Sequence, residues 1–287
     1  MPFYVYAWIG SFVSGFFVVT AKLTSKHSIS NPWLFNFLLS MVTLLFTIPP
    51  ALANNATIPS DWVSVFLAAL FLTLFNIFWI FATYALDIST LTPLFSFRGI
   101  FAVLIGVLFF NETFQMNQLV FIALIIVAGV FTSLDEKFKI KSFFRWDVFL
   151  GIATALMLAV YNSFIKVSVM NNGLWSTNLW SVVLSAALVI PTIPLFVKEF
   201  KKMNSGHIMP IALMGVLDTV SRFSANIAYG ANLAISSLIM NTPFSMVLAF
   251  MFSIFAPKLL EKHTLKIYAI RFGATAVMIW SAMQLTK

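Results

Sequence analysis

Apolar residues in this chain come in long blocks, not in one-sided stripes of helical period. Trp62 to Leu86, for example, is apolar on every face of a helix. One such segment could be the buried central helix of a soluble protein, but a soluble core cannot absorb many of them. A helix needs about 20 apolar residues to cross the hydrocarbon core of a bilayer. On that ruler the pattern predicts spans at Phe3–Ala21, Trp33–Ala53, Trp62–Leu86, Thr90–Phe110 and Asn117–Ser133. After a polar break it predicts Trp146–Ile165, Thr177–Val197, Ile208–Ala231, Ile235–Phe255 and Leu265–Leu285. Trp33, Trp62, Trp146 and Trp175 fall at predicted span ends, where amphipathic aromatic rings meet the headgroups. The expected fold is therefore an all-α integral membrane protein of about ten transmembrane helices.

The one long charged stretch is Asp135-Glu136-Lys137-Phe138-Lys139-Ile140-Lys141, close to mid-chain. It divides the chain into a first five-helix unit, residues 1–134, a linker, 135–145, and a second five-helix unit, 146–287. Trp33, Asn36 and Pro49 recur as Trp175, Asn178 and Pro191 at a common offset of 142 residues. Tyr84 then matches Tyr229 and Glu112 matches Glu261, at offsets of 145 and 149. The same order in both halves implies duplication, with small loop insertions causing the drift. An odd number of spans per unit makes the repeats inverted, a common transporter architecture with its site near the bilayer midplane.

Composition agrees with a membrane protein: 61% of the 287 residues are hydrophobic and 9% charged, against roughly 25% charged in soluble domains. The formal charge of +8 is scattered among loops, with no basic stripe interleaved with aromatics, so no nucleic-acid partner is expected. The basic residues instead set topology. Lys22 and Lys26 are assigned to the first loop, Lys137, Lys139, Lys141 and Arg145 to the fifth, Lys198, Lys201 and Lys202 to the seventh, and Lys258 and Lys262 to the ninth. The even loops offer little beyond Lys166. The positive-inside rule then puts odd loops in the cytoplasm and both termini outside. The start, Met1-Pro2-Phe3-Tyr4, has no basic n-region or small-residue cleavage site, so the first apolar segment is expected to be a retained helix. The expected location is the cell membrane, the inner one for a bacterial source.

The stretch Ser89-Thr90-Leu91-Thr92-Pro93, followed by Gly99, Gly106, Asn111-Glu112-Thr113 and Ala128-Gly129, resembles the end of a repeat of the EamA type. The second half echoes it with Ser236-Ser237, Pro243, Glu261-Lys262-His263-Thr264 and Gly273. Two departures are visible. Gly99 stands where the second half has Pro243, and Ala256-Pro257-Lys258-Leu259-Leu260 reads as an insertion before Glu261. The resemblance is to the drug/metabolite transporter superfamily. It implies a ten-helix carrier that moves amino acids, other metabolites or drugs by alternating access.

Ionisable residues inside spans are costly and usually face a cavity or a partner. Four stand out: Arg98, Asp218, Arg222 and Arg271. Asp218 and Arg222 lie four residues apart on one helix face, which Asn226 and Tyr229 extend. Along that stripe the functional reading has Arg222 anchoring an anionic group and Asp218 taking a proton or an amine. The structural reading has the two charges neutralising each other within the bundle. Replacing Arg222 by Gln is expected to abolish transport without loss of expression. Arg98, near the middle of the fourth span, is expected to read substrate or to pair with Asp218, and Arg271 to snorkel to the interface. Asp87 and Glu112 stand at helix ends and are expected to cap or bind loops.

Asn76, Trp79 and Thr83 share a face of the third span, and Tyr161, Asn162 and Asn178 are polar points in apolar helices. The candidate substrate-binding set is therefore Arg222, Asp218, Asn226, Tyr229, Arg98, Asn76, Trp79, Thr83, Tyr161 and Asn178. Ser245, Ala249 and Ser253 form a small-residue face for close helix approach, which Gly99 and Gly106 are expected to provide in the fourth span. Pro49, Pro50, Pro191 and Pro194 stand where helices bend or stop.

Other chemistries find little footing. There is no cysteine, so disulfides, thiolate catalysis and Cys-based metal sites are excluded. His27, His207 and His263 lie in or beside loops, without HExxH, GxSxG or a P-loop. An intramembrane enzyme or a channel is the competing class, and multidrug or organic-cation efflux the competing cargo. No catalytic residue, cofactor or metal is expected. The expected partners are a small-molecule substrate, protons as coupling ion and the lipid bilayer, around a monomer.

Overall fold

The computed structural model describes residues 1–86, 91, 94–95, 97–132, 146–201, 203, 205–242, 244–255 and 265–284. Among these there is no β-strand, and eleven α-helices have eight residues or more. They are α1 (Phe3–His27), α2 (Pro32–Ala53), α3 (Trp62–Ala85), α4 (Phe97–Phe110), α5 (Met116–Thr132) and α6 (Trp146–Asn172). Then follow α7 (Leu174–Val189), α8 (Ser205–Ala231), α9 (Leu233–Met240), α10 (Phe244–Phe255) and α11 (Leu265–Gln284). Six helical stretches are long and apolar enough to cross a membrane: Phe3–His27, Pro32–Ala53, Trp62–Ala85, Val148–Asn172, Leu174–Leu195 and His207–Ala231. Shorter apolar helices run over Phe97–Phe110 and Met116–Ala128. The protein is thus a multi-pass membrane protein.

Local chemistry explains the ends. Asn31 accepts from the backbone N–H groups of Trp33 and Leu34 and so caps α2, with Pro32 in the first turn. Asp61 caps α3 through Ser64 N–H, and Asn232 caps α9 through Ile235 N–H. Gly173, at φ 78°, supplies the single left-handed residue between α6 and α7. Pro191 and Pro194 fall in the 3₁₀ segment Ile190–Leu195 that follows α7, while Pro49 and Pro50 lie inside α2 near its end. α1 runs to His27, six residues beyond the expected end of the first span.

Packing inverts the soluble pattern. Phe12, Phe16, Leu45, Leu108 and Phe109 face outward, while Ser11, Thr43, Thr47, Thr73, Ser185 and Asn178 are buried. Hydroxyls bridge helices inside: Thr73 to Ser185 at 2.9 Å and Ser168 to Thr177 at 2.9 Å. The most extensive contact is α3 on α6, followed by α1 on α8. α2 packs on α7 and α8, α3 on α7, α5 on α11, α4 on α6 and α9, and α1 also on α9 and α10.

The connections sort to two ends. At one end the α2–α3 loop meets the α6–α7 turn. Ser60 N–H and Asp61 N–H both donate to Asn172 Oδ1 at 2.9 Å, and Asn171 donates to Asp61 Oδ2 at 2.8 Å. The Asn171 bond is the largest of several that hold the Asp61 carboxyl below its usual pKa. At the other end Lys22 donates to Thr83 O and Leu86 O, the Tyr84 hydroxyl donates to Ile29 O, and Asn31 reaches Leu195 O. Lys22 is accordingly a buried residue of α1, not a loop residue, because its ammonium caps the open carbonyls at the end of α3. The charged linker 135–145, Asp87, Pro243 and Glu261, and the side chains of Arg271, Ala249 and Ser253, lie outside the described residues.

Candidate functional site

The ninth predicted span, Ile235–Phe255, is not one helix. It stops at Met240 and restarts at Phe244. Asn241 and Thr242 occupy the gap, a polar pair before Pro243 inside an apolar run. Non-helical backbone at membrane depth is tolerated where it lines a cavity, and here it does. A cavity with about 80 Å³ of water-accessible space lies beside the gap, several times the roughly 10–15 Å³ that one water needs. α1 gives it Ser11, Ser14 and Gly15, and α4 gives it Arg98. Phe17, Phe75, Trp79 and Phe95 form an aromatic wall, in which Phe17 stacks on Trp79 at 5.0 Å and 18°. Asn241, Thr242 and Ser245 close the remaining side.

α1 comes close to the gap because its facing residues are small. A Cβ on Gly15 would lie 2.9 Å from Phe244 Cβ and 3.1 Å from Ser245 N, and one on Gly10 would lie 3.2 Å from Ser221 O. Ala7, Ser11 and Gly15, four residues apart, are buried on this face. That spacing is the sequence signal that would have found α1, whose Ser11 and Ser14 are absent from the candidate set. The interrupted span had a signal too, in Asn241-Thr242-Pro243.

Arg98 is the only charged side chain among the described cavity residues. It is buried, 8% exposed, and its Nε donates to Asn241 Oδ1 at 2.8 Å. It does not pair with Asp218, which is taken by Arg222. Gly99 makes room for this arrangement, since a Cβ there would stand 2.6 Å from Asn241 Nδ2 and 3.0 Å from Leu238 Cδ2. Gly99→Ala is expected to push Asn241 off Arg98, at about 1–3 kcal/mol of overpacking. Transport should fall several-fold while Arg98 itself is unchanged, as measured by initial uptake rates in proteoliposomes. Unaltered rates would sever Gly99 from the site.

The Asp218–Arg222–Asn226–Tyr229 stripe lies elsewhere, and the structure divides it. Arg222 Nη2 donates to Asp218 Oδ2 at 2.6 Å, and Thr43 donates to the same oxygen at 2.9 Å. Arg222 also lies over the Tyr161 ring, 6.0 Å from its centroid. With Ser40, Thr43, Asn76 and Ser185 it lines a narrow crevice between α2, α3, α7 and α8. Asn226 donates to Asn178 Oδ1 at 2.7 Å, both fully buried, and Tyr229 packs with Ala225 and Leu233. Of the α3 trio, Trp79 lines the cavity, Asn76 the crevice, and the Thr83 hydroxyl bonds back to Trp79 O.

A third charged cluster sits at the start of α9. Glu112 accepts from Lys166 at 2.6 Å and from the backbone N–H groups of Leu233 and Ala234 at 2.9 and 3.1 Å. It caps α9, a helix remote in sequence from the helix end where it stands. A Cβ on Gly106 would lie 2.6 Å from the Glu112 carboxylate, so glycine is needed there. Lys166 lies within α6 and pairs with Glu112 of the α4–α5 connection, so it is not a loop charge.

A bundle of membrane-crossing helices with a polar cavity at a broken span is an architecture that membrane transporters use. Residues 1–134 match the model of the EamA-like transporter family. That family is part of the drug/metabolite transporter superfamily, and the match covers the first half of the chain. A solved structure described only as "Crystal structure of protein" superposes with a TM-score of 0.64 at 13% identity, over 96% of this chain and 99% of that one. That likeness carries the fold to the whole chain. No curated protein matches the sequence.

Proposed function

We propose that the protein is a secondary-active transporter of small metabolites, amino acids among them, that works by alternating access around the central cavity. The observation that carries this reading is the cavity itself. Ser11, Trp79 and Arg98 come from the first half and Asn241, Thr242 and Ser245 from the second, so rocking one half against the other would open and shut it. Two inverted five-helix repeats, 1–134 and 146–287 joined by 135–145, supply the halves. Their packing supports this reading: exchanging α1 with α6 and α3 with α8 turns the α3–α6 contact into the α8–α1 contact. The same exchange sends the α4–α6 contact to that of α1 with α9 and α10.

In this reading the protein is a monomer of the cell membrane. Lys166 lies in α6 and pairs with Glu112, so it leaves the tally of loop charges. The even loops then keep no Lys or Arg, which favours odd loops in the cytoplasm. Asp218, with Arg222 and Thr43 around its carboxylate, is the site where a proton would couple. The test is counterflow in proteoliposomes loaded with single compounds from a panel of amino acids, organic acids, nucleotides and organic cations. Saturable exchange of at least one panel member, absent from empty vesicles, is expected. Product formation without exchange would instead mark an enzyme.

A further inference from the structure

Among the described residues Arg98 has one hydrogen-bond partner, the neutral Asn241, and the Tyr229 ring lies within electrostatic range of it. Its Nε is committed to Asn241, and its two Nη groups donate to no acceptor among the described residues. Asn241 thereby anchors the Nε edge of the guanidinium and leaves the fork of its two Nη groups for a ligand, on a side chain that lines the cavity. Such a fork matches the two oxygens of a carboxylate. Close by, the Thr242 hydroxyl is buried, 5% exposed, and has no hydrogen-bond partner. A buried hydroxyl in the same cavity as a guanidinium with no carboxylate partner among the described residues marks a place where polar ligand atoms are expected.

The charge balance narrows the ligand further. No Asp or Glu stands among the described cavity residues. A monoanion would neutralise Arg98, while a zwitterion would leave its ammonium in a low-dielectric pocket without a counter-charge. The opposite wall is Phe17, Phe75, Trp79 and Phe95, with Phe75 and Trp79 at 6.5 Å and 28°. That wall suits a flat or apolar body and offers an ammonium no carboxylate.

We infer that the cavity selects small organic monoanions, a carboxylate on the Arg98 fork and an apolar body on the aromatic wall, over amino acids of the same skeleton. This rests on the transporter reading and sharpens its substrate. The site differs from the Asp218–Arg222 pair, whose charges already cancel.

The experiment compares matched pairs, pyruvate with alanine and phenylpyruvate with phenylalanine, using wild type, Arg98→Lys and Arg98→Gln. Binding is measured by titration calorimetry in detergent and exchange by counterflow, with monodispersity and melting curves as folding controls. The inference expects wild type to bind the better 2-oxo acid at least tenfold more tightly than its amino acid. Arg98→Gln should lose that affinity at least tenfold, while Arg98→Lys, a cation without the fork, should fall between. If amino acids exchange as well as or better than 2-oxo acids, or if folded Arg98→Gln binds like wild type, the inference is overturned and transport still stands. If no panel member from any class binds or exchanges, the transporter reading falls and the inference with it. Should Arg98→Gln fail to fold, the Arg98→Lys ratio and the wild-type preference decide, and a wild-type preference below threefold overturns the inference.

Discussion

Glu112→Ala is expected to destabilise the protein by about 3–5 kcal/mol, the usual result of stranding one member of a buried ion pair. The Glu112 carboxylate does three things at once. It neutralises Lys166 and satisfies the backbone N–H groups of Leu233 and Ala234, which begin α9 and have no intrahelical acceptor. Removing it leaves a buried ammonium with the Phe110 ring, 4.6 Å away, but no carboxylate partner among the described residues. Lys166→Met should do less harm. The carboxylate would keep both backbone donors and its favourable place at a helix N-terminus. The exchange Glu112→Lys with Lys166→Glu should not rescue, because an ammonium cannot accept from an N–H. Melting in detergent checks this, with a fall on the order of 10 °C expected for Glu112→Ala. Equal damage from Lys166→Met, or rescue by the exchange, would show that the pair acts as simple charge neutralisation.

Glu112 also illustrates what a sequence can carry. Its position at a helix end led to an expectation of capping or loop contacts, but the helix it caps, 121 and 122 residues away, could not be read from that position. The spans were legible for a simpler reason. Bilayer thickness sets one length, and backbone in lipid has one helical solution, so apolar run length translates almost directly into an element. The interruption of the ninth span was harder to read. Asn241 and Thr242 are individually ordinary in a membrane helix, and only the cavity beside them reveals an open backbone. The Asp218–Arg222 spacing was equally visible, but spacing cannot say whether a pair faces a cavity or closes on itself. Here a 2.6 Å bond joins the two charges and Thr43 adds a donor, while Arg222 also lines the crevice between α2, α3, α7 and α8. Arg98 has no carboxylate partner among the described residues, and that depended on which helices meet across the bundle, which no local pattern encodes.

Lys22 and Lys166 teach the same lesson about charge. Both counted as loop charges because they fell near predicted span ends, yet both are buried within helices, one on the carbonyls of α3 and one on Glu112. A long side chain can hide its charge against a neighbouring helix end, so loop tallies need a bundle before they are exact.

Neutralising both members of the Asp218–Arg222 pair is expected to separate folding from coupling. Asp218→Ala alone strands Arg222 beside Tyr161, at a cost again of about 3–5 kcal/mol. Arg222→Gln alone leaves Asp218 with Thr43 as its remaining described donor. This is why the single Arg222 variant, though expressed, should be inactive. The double variant Asp218→Asn with Arg222→Gln carries no charge and can re-form an amide hydrogen bond across the same turn, so most of the stability should return. A structural pair would regain full transport with it. A proton-carrying Asp218 would not, because the double variant has no titratable group there. Counterflow, which needs no coupling, should then persist while uphill accumulation driven by a pH gradient is lost. Such accumulation surviving in the double variant would remove Asp218 from the proton path and leave the pair as a brace between α2 and α8.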